Sequence, residues 1–276
     1  MSKNILLPTD FSDNAWSAAV YAMKLYKNEV CTFHFLYSSK MKVSSMTSIS
    51  NKLVEAIAEN AKADLAELKA KVEKEYPNPN HKFEVILSTN ILQNAIDVLV
   101  EKEAIDLIVM GTQGATLAKE LMFGSNTVNA IKHSNACPLL VIPNEFSYVE
   151  PKEIAFPTDY NHNYGEELDA LKDLADLYNS VIRIVHIDTE DHLNATQKQH
   201  LALLKLSLEA YECSFHWQPQ EGKKAKAIQE FTEALEINML VMIRYQHSFI
   251  ENLIKEPIIN SIGFHPNIPF LVIPQN

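Results

Sequence analysis

Two short apolar motifs each occur twice in this chain of 276 residues, in the same order. Ile5–Asp10, which reads ILLPTD, recurs as Ile154–Asp159, which reads IAFPTD. Pro138–Pro143, which reads PLLVIP, recurs as Pro269–Pro274, which reads PFLVIP. Two matching starts and two matching ends indicate an internal repeat of a whole structural unit. The repeat therefore constrains the fold to two similar halves joined near residue 148.

We predict two domains from this repeat, one at 1–147 and one at 150–276. Each has a length at which a domain builds its own hydrophobic core. Between the motifs, short apolar runs alternate with amphipathic stretches, which is typical of a parallel sheet with crossover helices. The predicted fold class is α/β, with two tandem doubly wound sheets of five parallel strands. The predicted strands are 3–7, 30–36, 83–87, 105–110 and 138–142, then 152–156, 181–187, 213–218, 239–243 and 269–273, and the first half has helices at 14–27, 51–75, 91–102 and 126–134.

A glycine-rich pattern follows the apolar run 105–110. Gly111, Gly114, Gly124 and Ser125 are spaced as G-x2-G-x9-G-S. Glycines after a buried strand let backbone N–H groups approach an anion, and the helix that starts at Ser125 turns its positive end toward the same place. The spacing is neither G-x4-G-K-[ST] nor G-x-G-x-x-G. The pattern favours a polyphosphate site, and a plain turn is the alternative for the first two glycines.

With these residues, the chain resembles the ATP-binding branch of the universal stress protein family. Asn4–Ser12 resembles the first strand and adenine-side loop of that family, and Ala136–Pro143 resembles its last strand. The resemblance implies an adenine nucleotide alpha hydrolase-like fold. It also implies that Leu139–Ile142 and Leu271–Ile273 pair within one chain, so that the two domains form a pseudo-twofold pair. The resemblance leaves open whether two chains also form a homodimer.

The resemblance implies a site in the first half that binds ATP, either alone or together with Mg²⁺. Asp10 is expected near the adenine or ribose, and Phe35 is expected to pack on adenine, where the family usually has a small aliphatic residue. The glycine pattern and the start of the next helix are expected to hold the phosphates. The full set of predicted site residues is Pro8, Thr9, Asp10, Phe35, Met110, Gly111, Gln113, Gly114, Gly124, Ser125, Asn126 and Thr127.

The second half lacks this pattern. Counted back from the final strand, Lys255 and Glu256 occupy the places of Gly124 and Ser125. A carboxylate at a helix start repels a phosphate. We therefore predict that the second half keeps the fold and binds no nucleotide.

The sequence offers no set of catalytic residues. His34 and His186 are predicted to take matching places on the second strand of each half, which favours a structural role for both. Paired carboxylates, a Ser-His-Asp order and an arginine finger are missing, so any ATPase activity is expected to be slow. The predicted function is a regulatory or protective role in the stress response. The alternatives are a scaffold without nucleotide and, with less support, a nucleotide-processing enzyme of a related α/β fold.

Charge and composition narrow the partners. The net charge is −11 without any basic run, which disfavours nucleic acid and anionic membranes as partners. The three cysteines, Cys31, Cys137 and Cys213, have no metal-binding spacing and are expected to be buried thiols. No apolar run reaches the roughly 18 residues of a membrane span. We expect a cytoplasmic protein whose partners are ATP and its own second domain.

Overall fold

The computed structural model describes residues 2–39, 48–112, 124–133, 136–219, 223–245 and 267–275. The chain divides into two compact units, Met1–Glu145 and Phe146–Asn276. The Gln113 and Gly114 positions of the glycine pattern, and Lys255 and Glu256, lie outside the described residues.

The first unit is a parallel sheet with helices between its strands. Its strand order is β3-β2-β1-β4-β5, and every pair described within it is parallel. The order reverses between β1 and β4, and a crevice at such a switch point is the usual ligand site of open α/β folds. The elements are β1 (Lys3–Thr9), α1 (Asp13–Leu25), β2 (Cys31–Ser38), α2 (Ser48–Glu75), β3 (His81–Ser88), α3 (Leu92–Lys102), β4 (Leu107–Gly111), α4 (Ser125–His133) and β5 (Leu139–Ile142).

The second unit has the same topology. Its strand order is β10-β9-β6-β7-β8, again with parallel pairs, and the order reverses between β6 and β9. The elements are β6 (Glu153–Pro157), α5 (Leu168–Tyr178), β7 (Val181–Ile187), α6 (Ala195–Ser207), β8 (Cys213–Gln218), α7 (Lys224–Ala234), β9 (Met239–Arg244) and β10 (Phe270–Pro274). The predicted α/β class with parallel sheets is confirmed.

The first helix of each unit begins differently. In the first unit α1 starts directly after Ser12, whose hydroxyl caps it by accepting the N–H of Ala15 at 3.2 Å. In the second unit α5 starts only at Leu168, so the stretch 160–167 is not part of that helix. The two units therefore place different groups over the carboxyl ends of their central strands.

Strand register corrects one sequence prediction. The second residue of the repeated motif pairs with His34 in the first unit and with Arg183 in the second. His186 lies three residues beyond Arg183, at the position that Tyr37 takes in the first unit. The prediction that His34 and His186 match is therefore wrong, because distance from a predicted strand start does not fix register.

Candidate functional site

A compact turn follows β1 at the carboxyl edge of the first unit. The hydroxyl of Thr9 accepts the backbone N–H of Phe11 at 3.0 Å, and the Oδ1 atom of Asp10 accepts the backbone N–H of Ser12 at 3.1 Å. Phe11 has a φ of 62°, a conformation that an aromatic residue rarely adopts. These side-chain bonds hold the turn in that conformation and fix the Asp10 carboxylate just beyond the end of β1.

An aromatic pair lies beside this turn. The ring of Phe11 packs on the ring of Tyr37, at the end of β2, with 4.9 Å between centroids and 32° between planes. Phe11 is 37% exposed. The pair thus presents an accessible aromatic surface next to Asp10. Sequence reasoning missed both residues, because only the register of β2 shows that Tyr37 reaches this edge.

Phe35 lies deeper in the first unit than its predicted role requires. Its side chain is 1% exposed and its ring centroid lies 6.4 Å from that of Phe83. Side chains alternate along a strand, so Tyr37 is the next residue on the same face and the one nearer the edge. Packing of Phe35 on adenine stays a prediction, and in this structure its ring is enclosed in the core.

Gly111 ends β4 against the first helix. A Cβ atom built at this position would lie 2.6 Å from the side chain of Asn14, which is buried in α1. A Cβ atom at that distance would force the Asn14 side chain to move, so the packing of α1 on β4 favours glycine here. This contact gives Gly111 a packing role that is independent of any ligand.

The start of α4 is fastened to the end of β4. The N–H of Gly124 donates to the carbonyl of Thr112 at 2.6 Å, and the hydroxyl of Thr127 donates to the carbonyl of Gly111 at 2.9 Å. Thr127 is buried, so its side chain holds the two elements together. The first helical bond of α4 runs from Val128 to Gly124 at 2.9 Å. The glycine pattern therefore begins and ends at one place in the fold.

The exposed groups at this helix start are those of Ser125 and Asn126. The first turn of α4 carries no acidic residue, and Lys132 and His133 lie in its last turn. Within α4 itself, no acidic side chain compensates the positive end of the helix dipole. Pro8 and Met110 are buried at the adjoining ends of β1 and β4. The structure thus brings together the predicted residues that it describes, with Phe35 recessed into the core.

The second unit repeats the turn in a closed form. The hydroxyl of Thr158 accepts the N–H of Tyr160 at 3.0 Å, and Asp159 accepts the N–H of Asn161 at 2.9 Å. Tyr160 has a φ of 56° and stacks on His186 with 5.0 Å between centroids. These are the counterparts of Phe11 and Tyr37, but Tyr160 is 0% exposed. The strand pairing also places Ile243 where the first unit has Gly111.

Other functional groups are scarce in the part of the chain that the structure describes. It contains no cluster of three or more histidine, cysteine or acidic side chains arranged to hold a metal ion. None of its helices combines the length and the apolar character that a membrane crossing needs.

The thiols of Cys31 and Cys137 are buried, and burial raises the pKa of each to about 12. Cys213 is only half-buried.

Comparison with known proteins gives close relatives for the first half. A model of the universal stress protein family matches residues 1–143. A universal stress protein of Methanocaldococcus jannaschii is 36% identical over 160 residues, which cover 53% of this chain and 98% of that protein. A second universal stress protein of that organism is 31% identical over 141 residues, which cover 51% of this chain and 81% of that protein.

Solved structures match across both halves. A universal stress protein from Archaeoglobus fulgidus covers 99% of this chain, and 96% of its own chain is matched, at a TM-score of 0.70 and 19% identity. A putative universal stress protein from Pseudomonas aeruginosa covers 99%, with 93% of its own chain matched, at a TM-score of 0.62 and 12% identity. At these identities the likeness shows the fold alone. The family model spans more than half of the residues of this chain. The chain therefore belongs to the universal stress protein family.

Proposed function

We propose that the first unit binds ATP at its carboxyl edge and that the protein has a regulatory or protective role in the stress response. One observation carries the proposal: the intact G-x2-G-x9-G-S pattern begins at the end of β4 and closes at the start of α4, where Gly124 bonds to Thr112. This pattern is the basis of the resemblance to the ATP-binding members of the universal stress protein family.

The described residues fit an adenine nucleotide. The N–H groups in the first turn of α4 point to where phosphates would lie, beside the exposed Ser125 and Asn126. Helix dipole and amide groups would meet the phosphate charge, with Mg²⁺ as a companion ion. The Asp10 carboxylate is an acceptor suited to a ribose hydroxyl. The exposed face of the Phe11 and Tyr37 pair provides an apolar surface at the same edge.

Hydrolysis at this site is expected to be slow. Among the described residues at the edge, Asp10 provides the carboxylate, and its Oδ1 atom already accepts two hydrogen bonds from Ser12. A carboxylate engaged in this way is a poor general base. Binding would therefore be read out through conformation or partners, and turnover should fall well below the roughly 1–100 s⁻¹ of kinases.

Calorimetry on the full chain tests the proposal. We expect one ATP per chain, and we expect Gly124→Val to abolish binding because a branched side chain fills the space beside the helix start. Gly165→Val is the matched control, since Gly165 is exposed in the second unit and a Cβ atom built there would have the Glu167 carboxylate as its nearest neighbour, at 3.4 Å. Unchanged ATP affinity in both Gly114→Val and Gly124→Val would refute the assignment.

A scaffold without nucleotide is the second candidate, and one observation favours it. The contact with Asn14 explains Gly111 without any ligand. Native mass spectrometry of the purified protein separates the two functions: co-purified ATP supports binding, and its absence together with silent calorimetry supports the scaffold. Pairing of the two units through their last strands and a cytoplasmic location stay predictions.

A further inference from the structure

A serine and a histidine contact each other on strand β8 of the second unit. Ser214 and His216 lie two residues apart on this strand, so their side chains lie on the same face of the sheet. The Ser214 hydroxyl oxygen and the Nε2 atom of His216 are 2.7 Å apart. A hydroxyl within hydrogen-bond distance of an imidazole nitrogen is the usual arrangement of a serine nucleophile and its general base.

The neighbouring strand holds an arginine against the same hydroxyl. Arg183, on β7, donates a hydrogen bond from Nη1 to the Ser214 oxygen at 3.0 Å. The Glu153 carboxylate on β6 fixes this guanidinium by accepting two bonds, at 2.7 Å from Nε and at 3.1 Å from Nη2. A guanidinium stays charged, so Arg183 stabilises the negative charge that a serine oxygen gains as it attacks an electrophile.

The arginine also decides where the Ser214 proton points. A guanidinium only donates hydrogen bonds, so the Ser214 oxygen is the acceptor toward Arg183. A second donor, from His216, would leave the hydroxyl proton without an acceptor among these three side chains. The hydroxyl therefore donates to Nε2, and the imidazole carries its own proton on Nδ1. Burial and the charge of Arg183 lower the pKa of His216, so the ring is neutral near pH 7 and can accept the Ser214 proton.

The backbone beside Ser214 offers a donor for a substrate oxygen. In the strand order of the second unit β8 comes last, and it pairs with β7. The N–H of Ile182 donates to the Glu212 carbonyl at 2.9 Å, which defines the side of β8 that faces β7. Successive N–H groups along a strand point to opposite sides, so the Phe215 N–H points away from β7. The N–H of the residue after a nucleophilic serine is a common donor to an oxyanion.

Access to this serine and histidine is restricted on one side. Ser214 and His216 are both partly exposed, so a small molecule can reach them from solvent. The ring of Phe231, on α7, packs edge-on against the His216 ring with 5.1 Å between centroids and 66° between planes. This contact holds the imidazole in place, and it favours a substrate with a small acyl group.

We propose that Ser214 is a nucleophile that takes the acyl group from a small activated ester. The Ser214 oxygen attacks the carbonyl carbon of the ester, and the hydroxyl proton passes to Nε2 of His216. The carbonyl oxygen becomes an oxyanion that accepts the Phe215 N–H. Collapse of this intermediate breaks the bond to the alcohol part, which leaves with the proton from His216. Water, deprotonated by the same imidazole, then releases the acyl group as a carboxylic acid and restores the hydroxyl.

This activity is independent of the nucleotide site. Ser214, His216 and Arg183 all belong to the second unit, and the nucleotide is assigned to the first. Loss of ATP binding would therefore leave the proposal standing, and loss of the esterase reaction would leave ATP binding standing.

Release of p-nitrophenolate from p-nitrophenyl acetate by the full chain tests the proposal. We expect a burst of about one p-nitrophenolate per chain, from acetylation of Ser214, before slower turnover. Ser214→Ala should abolish the burst, and His216→Gln should slow it about a hundredfold, a usual contribution of a general base. Ser207→Ala and His192→Gln are the matched controls, because both residues are exposed in the same unit. Each control should react as the unchanged chain does.

A covalent probe tests Ser214 in the unchanged chain, so the outcome does not depend on any variant folding. Diisopropyl fluorophosphate reacts with a serine nucleophile by losing fluoride, and it leaves a stable phosphoester that peptide mass spectrometry locates. We expect the label on Ser214 and not on Ser207. The proposal is overturned if Ser214 carries no label or if Ser207 is labelled as readily. It is equally overturned if Ser214→Ala releases p-nitrophenolate as fast as the unchanged chain.

Discussion

The two units place the same turn at the same edge of the sheet but surround it differently. In both, a threonine hydroxyl and an aspartate carboxylate fix an aromatic residue at positive φ. The aromatic residue is Phe11 in the first unit, where it remains 37% exposed, and Tyr160 in the second, where it is fully buried. The backbone of the turn is therefore retained, and the groups that pack around it decide whether the edge is open or closed.

The difference extends to the neighbouring helix. In the first unit α1 follows the turn at once, and its Asn14 fills the space above Gly111. In the second unit the helix starts later, and the non-helical stretch 160–167 contributes His162 and Tyr164 to a cleft at the carboxyl ends of β6, β7 and β9. A delayed helix start thus leaves room for Ile243 and for a cavity. One change in helix start therefore separates a glycine-lined edge from an aromatic one.

The largest expected effect is on the free energy of unfolding, at the aromatic residue whose burial differs between the two units. Tyr160→Ala should lower the free energy of unfolding by about 4 kcal/mol, because it leaves a large cavity between His186 and Trp217. Phe11→Ala is the matched change at the exposed position and should cost less than about 1 kcal/mol. Urea unfolding of both variants measures the difference. Equal losses would mean that the two aromatic residues are buried alike in solution.

A somewhat smaller effect is expected where Gly111 meets Asn14. Gly111→Ala should destabilise the protein by about 3 kcal/mol, because the new methyl group overlaps the Asn14 side chain. Asn14→Ala in the same chain should restore part of that loss, so the two changes would not be additive. Urea midpoints for the two single variants and the double variant test this coupling. Strict additivity would show that the contact with Asn14 is not what requires glycine.

The smallest expected effect concerns pH and the position shared by His34 and Arg183. Burial lowers the pKa of His34 from its ordinary value of 6.5, and the Nε2 atom of this ring has no hydrogen-bond partner in the described structure. The unfolded chain therefore binds this proton more readily, so the stability contributed by neutral His34 is present above 6.5 and is lost as the pH falls below it. Arg183, which is paired with Glu153 at 2.7 Å, stays charged throughout.

His34→Gln should accordingly flatten the fall in unfolding free energy between about pH 7 and pH 5. Thermal unfolding across that range is the measurement, and Arg183→Gln is the comparison, since it should lower stability without changing the slope. An unchanged slope in His34→Gln would contradict a neutral buried histidine at this position.

The sequence was sufficient to predict the fold class and the position of the first-unit edge. Alternating apolar runs predict a parallel sheet, and the amphipathic stretch 14–27 predicts α1. The sequence did not predict the strand register, since the mismatch of His34 and His186 depends on which residues pair across β6 and β7. The contact between Gly111 and Asn14 was also hidden, because it joins residues far apart in the chain.

The cleft of the second unit was missed for a related reason. Its lining comes from three strand ends, the stretch 158–164 and the start of α7, and Asp159, Tyr245 and Lys224 are ordinary surface or core residues when taken one at a time. No spacing joins them into a motif. The lost glycines of the second half predict that no nucleotide binds there, and they give no indication of the cleft.

The bond between Gly124 and Thr112 has a consequence for how this protein can vary. It closes the segment between these residues at its base, so the ends of the segment are fixed whatever its length. Lengthening a segment with fixed ends is inexpensive, at about 0.6 kcal/mol for each doubling. Insertions and deletions between 112 and 124 should therefore leave the start of α4 in place. Relatives can then differ in the length of this segment without rebuilding the sheet beneath it.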